Sequence, residues 1–162
     1  MTRHLNEHDA AVWRRLVDSH KAFSLASREF LSPRTDRVAL VRQALRTDDR
    51  ATAVFMAPHL PISEIQQLLD VWVALASHLN GFTQTARDLI LRLPRDWVLE
   101  RIEAVAEPLL ETGTDEEYRR LLELYRLLDS ELTLRLARRA AASPDRHVRE
   151  VGEEFLQSMS AG

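Results

Sequence analysis

Phe30-Leu31-Ser32-Pro33, His59-Leu60-Pro61-Ile62, Arg92-Leu93-Pro94-Arg95 and Tyr125-Arg126-Leu127-Leu128-Asp129-Ser130 are versions of one phrase, each at the joint between two helical runs. Counted from the leucine before each break, the steps are 29 residues (31 to 60), 33 (60 to 93) and 35 (93 to 128). Recurrence near such a period marks stacked helical hairpins, in which a repeat buries its apolar face only against its neighbours. The expected fold is therefore all-α. It is a right-handed superhelix of about four antiparallel hairpins plus a terminal helix, an α-solenoid. One domain over residues 1–162 is expected, with 1–8 and 158–162 as frayed ends.

On either side of these joints the periodicity is helical and strand alternation is absent. A first run from about Asp9 to Leu31 carries Trp13, Leu16, Val17, His20 and Phe23 at steps of three and four, which reads as an inward stripe. Asp9 is the expected N-cap, and Ser32-Pro33 stops the run because proline disfavours helix at the residue before it. Further runs are expected over about Thr35–Arg46, Asp48–His59, Ser63–Leu79, Thr83–Leu93, Asp96–Glu111, Thr114–Leu128 and Ser130–Ala142. Thr114-Asp115-Glu116-Glu117 has the form of a capping box. A last helix opens at Ser143-Pro144-Asp145, with Val148, Val151, Phe155 and Leu156 on its apolar side.

The stretch Ser143-Pro144-Asp145-Arg146-His147-Val148-Arg149-Glu150-Val151-Gly152-Glu153-Glu154-Phe155-Leu156 resembles the first helix of a HEAT repeat. That family favours an aspartate-led turn, then Val-Arg, then small and apolar residues ending in Leu. The earlier hairpins keep the architecture without the wording; Asp48-Asp49-Arg50-Ala51-Thr52-Ala53-Val54 comes nearest. The resemblance implies a helical-repeat scaffold with an extended binding surface.

Composition narrows the chemistry. Apolar content of 45% with 29% charge is ordinary for a globular chain. Residues 1–50 carry a net +3, residues 51–129 a net −6 and residues 130–162 none, too mild for generic nucleic-acid binding. No cysteine is present, which removes disulfides, thiolate metal sites and thiol nucleophiles and fits a reducing cytoplasm, the expected location. The N-terminus lacks the apolar region of a signal peptide, and the weakly charged stretch from Ala51 to Ala86 is broken by Pro58, Pro61 and Asn80-Gly81, so no membrane span is expected. With 4 glycines and no phosphate-binding or nucleophile-elbow motif, no catalytic residue and no cofactor are implied.

The sharpest enzyme-like string is His4-Leu5-Asn6-Glu7-His8, which fits the H-x-x-E-H pattern of a zinc hydrolase. It sits at a chain end and lacks a third ligand, so no metal site is expected there. Surface patterning says more. On the helix from Asp96, Glu100, Glu103, Glu107 and Glu111 fall within about 80° of one another, opposite the apolar stripe of Val98, Ile102, Val105 and Leu109. This acidic ridge either serves a basic protein partner or pairs with Arg135, Arg138 and Arg139 of the following hairpin. Trp97 lies about 100° off its stripe and is a candidate interface anchor. The neighbouring face of Gln67, Asp70 and His78 is nearly uncharged. The expected function is a non-catalytic protein-binding scaffold or adaptor using the ridge of second helices. An inhibitory or immunity-type partner of a toxin or enzyme is the alternative, and a metal-dependent hydrolase on His4, Glu7 and His8 the second. Nothing in the sequence sets the oligomeric state.

Overall fold

The structure is a computed structural model and describes residues 6–161. Those residues form an all-helical chain with no strand among them: α1 (Glu7–Phe30), α2 (Arg37–Ala44), α3 (Arg50–Met56), a 3-10 turn (Ala57–His59), α4 (Ile62–Gln67), α5 (Leu69–Ala76), α6 (Thr83–Leu91), α7 (Arg95–Leu99), α8 (Ile102–Glu111), α9 (Asp115–Leu128), α10 (Ser130–Ala141) and α11 (Arg146–Ser160). No helix is long and apolar enough to cross a membrane among the described residues.

Local chemistry sets most of the boundaries. Side chains of Asn6, Asp36, Asp129 and Asp145 accept from backbone N–H groups in the first turns of α1, α2, α10 and α11, satisfying donors that a helix start leaves unpaired. The first cap is thus Asn6, with Asp9 one turn inside, because a side chain three residues earlier reaches the Asp9 amide at 2.7 Å. The box at Thr114 closes as expected: the Thr114 amide donates to Glu117 at 2.7 Å, and its hydroxyl accepts from Glu116. Pro61 and Pro94 stand immediately before α4 and α7. Asp129 alone, extended at φ −163°, separates α9 from α10. The final helix runs on through Ser160, its Ser158 hydroxyl held by Arg126 at 2.5 Å.

Two expected helices are each divided. Between α4 and α5, the Ile65 carbonyl accepts from the Leu68 amide at 3.1 Å and from the indole of fully buried Trp72 at 3.2 Å. The side chain of Trp72 thus takes an acceptor that a regular helix would offer to the amide four residues on, and the helix breaks at Leu68. Between α7 and α8 the turn falls at Glu100-Arg101.

Helix contacts run mainly between neighbours in the chain. The central helix is α5, against α4, α6, α8 and α9; α6 also meets α9, and α9, α10 and α11 pack as a trio. No substantial contact joins α2 to α10. One contiguous core extends from Val41 on α2 to Phe155 on α11, with Ile65, Leu68, Trp72, Ile90, Ile102 and Leu121 inside it. The tightest packing is α11 on α10. A Cβ built at Gly152 would lie 2.2 Å from the Ala141 nitrogen and 2.7 Å from the Ala137 oxygen, so only glycine fits this approach.

Candidate protein-binding surfaces

Ion pairs stitch residues about one sequence period apart. Arg37 pairs with Glu64, and Arg42 grips Asp70 through two bonds of 2.6 and 3.0 Å. Arg87 reaches Glu123 at 2.6 Å, Arg95 reaches Asp129 at 2.7 Å, and Arg119 forks onto Glu154 at 2.9 and 2.8 Å. The acidic ridge belongs to this set. Arg135 donates twice to Glu103, at 3.1 and 3.0 Å, and Arg139 twice to Glu107, at 2.6 and 2.8 Å. The Arg139 guanidinium holds the Glu107 carboxyl below its usual range. Behind the two pairs, in a cleft of about 150 Å³, lies the hydroxyl of Tyr125, buried and without a hydrogen-bond partner among the described residues. Burial first, then the charges of Glu103 and Glu107, push its pKa up.

The other residues singled out in the sequence are also largely engaged. Glu100 pairs with adjacent Arg101 at 2.8 Å, and that guanidinium stacks 4.7 Å above Trp97. Trp97 is half-buried against the core rather than projecting as an anchor. Glu111 ends α8, exposed. Asp70 is held by Arg42, which also donates to the Gln67 carbonyl at 2.9 Å. The His78 ring stands 2.8 Å from Glu117. Of the zinc-type string, His4 lies outside the described residues, while Glu7 and His8 are exposed on the first turn of α1. Among the described residues, no group of three His, Cys, Asp or Glu side chains is placed to hold a metal ion.

The surface that the sequence reading missed is at the opposite end of the molecule. No residue of α1 is buried. The stripe expected to face inward is open to solvent: Trp13 is 61% exposed and Leu16 59%, and His20 is exposed with them. Only the last turns of α1 touch the rest of the chain. There Phe23 meets Phe55 edge to face at 5.7 Å, the Ser27 hydroxyl approaches the Met56 sulfur at 3.8 Å, and Phe30 packs partly against the core. Between α1, α2 and α3 an almost wholly apolar groove of about 310 Å³ remains, lined by Phe23, Phe30, Leu40, Val41, Ala53 and Met56. Exposed Phe55 and Leu40 extend it outward. A concave, almost wholly apolar lining lies beside an uncovered apolar helix, and surfaces of this kind mark interaction sites in general.

The stripe itself was legible as amphipathic periodicity. What no residue on α1 announces is that the layer it would face is missing. Comparison with known proteins adds no relative: no family model, no curated protein and no solved structure matches the chain.

Proposed function

We propose that this chain is a non-catalytic protein-binding module, a superhelical stack of helical hairpins akin to HEAT repeats, whose partner docks on the N-terminal apolar surface. The observation that carries this reading is the uncovered stripe of α1, with Val12, Trp13, Leu16 and Phe23 all more than two-fifths exposed beside the apolar groove. Terminal repeats of stacked proteins ordinarily turn a polar face to water, because an apolar one invites another layer. An end left apolar suits a second protein that supplies that layer. The stacked arrangement draws support from ion pairs such as Arg42–Asp70, Arg119–Glu154 and Arg139–Glu107, whose separations of 28, 35 and 32 residues follow the sequence period. The kinship with HEAT repeats rests on the Asp145 turn, where the carboxylate accepts from the His147 and Val148 amides.

Docking at the N-terminal end takes precedence over the acidic ridge. Glu103 and Glu107 already have arginine partners inside the chain, so an incoming basic surface would only exchange one exposed pair for another, for little net gain. A cytoplasmic setting belongs to the same reading. So does a scaffold role in which binding itself is the activity, whether it assembles or inhibits the protein bound. A photo-crosslinking residue at Leu16, introduced in the native cell, tests it. Adducts to protein at Leu16, with none at exposed Glu153 on α11, are the expected result. Absence of any adduct at Leu16, or equal yield at both positions, would remove the docking surface.

A further inference from the structure

We propose that the occupant of the N-terminal surface is a second copy of this chain, with two α1 helices lying antiparallel and each Trp13 seated in its mate's groove. The inference rests on the reading of this surface as a docking site and names what docks there. Three observations carry it.

The first is that knob and hole are on the same chain but cannot meet within it. Trp13 lies 13–14 residues before Ala26 and Ser27, which line the groove, so about 20 Å of rigid helix separates them. An antiparallel mate with its twofold axis near Ser19 and His20 removes that separation. In this register Trp13 lies over the small residues Ala26 and Ser27 of the other copy, and Leu16 lies over Phe23. Each copy supplies both halves of the contact, so the interface is isologous and closes at two.

The second is charge. Taken at 100° per residue, the face centred between Val12 and Leu16 holds Val12, Trp13, Leu16, Ser19, His20, Phe23, Ala26, Ser27 and Phe30 within a span of about 140°. No Asp, Glu, Lys or Arg falls on it between Val12 and Phe30. Of the six charges of this stretch, Arg14, Asp18, Lys21, Arg28 and Glu29 are on the far side of the helix, and Arg15 flanks the face about 20° beyond its edge. Nothing along the seam repels an identical copy, which is the condition a homotypic contact must meet.

The third is area. Trp13, Leu16 and Phe55 are each about 60% exposed, and Val12, Phe23 and Leu40 each above 40%. Aromatic side chains of ~150–250 Å² leave on the order of 100 Å² each at these exposures. The six residues together offer roughly 500 Å² of apolar surface per copy, and full cover in an isologous pair buries about 1,000 Å², the lower bound for a biological interface and the range of a dimer that dissociates on dilution.

Sedimentation equilibrium of the purified full chain over a wide concentration range tests the proposal. The expected mass is twice 18.6 kDa, dissociating on dilution. Trp13→Glu and Leu16→Glu change residues that the chain itself does not bury, so helical content, and melting at concentrations where the parent is monomeric, should persist while the dimer dissociation constant rises more than about a hundredfold. The exchange variant Trp13→Ala with Ala26→Trp should recover association that Trp13→Ala alone loses, because it returns a knob and a hole to the same register. A mass of 18.6 kDa at every concentration overturns the inference, as does a dimer indifferent to Trp13→Glu. If the chain is monomeric yet Leu16 crosslinks to a different protein in the cell, the second copy is overturned and the docking surface stands. With neither dimer nor adduct, both fall.

Discussion

The two ends of the molecule are both made of amphipathic helices and treat their outer faces in opposite ways. At the C-terminal end, α11 turns Arg146, His147, Glu150, Glu153 and Glu154 to water and sinks Val148, Val151 and Phe155 onto α9 and α10. At the N-terminal end, the 24-residue α1 buries nothing and shows Trp13 and Leu16 to solvent. In a stack, a helix's apolar stripe is buried only if a layer exists on that side. The outer face of α11 is polar, and that of α1 is apolar and uncovered. The contrast also separates what holds the chain together from what it has to offer a partner.

The comparison breaks most visibly at a pair of leucines. Leu121, fully buried in the middle of α9, should cost about 2–5 kcal/mol when truncated to Ala, read as a fall in denaturation midpoint. A loss below about 1 kcal/mol would mean that the C-terminal core is not packed as described. Gly152→Ala comes next. Its new methyl meets backbone atoms of Ala137, Ala140 and Ala141, which cannot yield as a flexible side chain could, so a loss of about 1–3 kcal/mol is expected. An unchanged midpoint would show that α11 rides further from α10.

A smaller effect concerns pH. The bonds from Arg37, Arg42, Arg139 and Arg119 hold the carboxyls of Glu64, Asp70, Glu107 and Glu154 below their ordinary values of 4.5 for Glu and 3.8 for Asp. Carboxyls depressed in the folded state contribute stability that is complete above those values and fades as pH falls through the folded ones. Thermal melts should therefore be level from neutrality down to about pH 4.5 and decline below it. Each exposed pair is worth less than about 1 kcal/mol. Glu107→Gln should flatten part of the decline, and no change in slope would remove the Arg139 pair from the account. The least effect is expected at Leu16→Ala, within about 0.5 kcal/mol of the parent under dilute conditions, because the side chain has no cover to lose. A loss comparable to that at Leu121 in the dilute monomer would mean α1 folds back on its own chain.

Signals local to a few residues were readable in the sequence. The capping box at Thr114, the Asp145 turn and the prolines before α4 and α7 fall where read, because a cap or a proline acts within one turn of itself. The stripe on the helix from Asp96 was readable too: Val98 and Ile102 are fully buried, with Val105 and Leu109 packed against the core. The break at Leu68 was not, since it depends on where the Trp72 indole finds an acceptor. The expected helix over Ser63–Leu79 ends earlier, at Ala76, and leaves Leu79 72% exposed beyond it. For the acidic ridge, the sequence supplied both the glutamates and the arginines that could face them. Their meeting required α8 and α10 to come within reach of an arginine side chain at matching register.

By itself, then, the sequence determined that this chain is helical, where most of its helices begin, and which side of each is apolar, all consequences of periodicity and capping that operate over a few residues. Only the tertiary structure decided which apolar sides are covered. Burial is a property of what lies across from a residue, and Trp13 and Leu16 recur at the same helical spacing as Leu121 and Leu124. The one has no layer against it and the other is covered, and that difference leaves the same kind of pattern exposed at one end and makes it a core at the other.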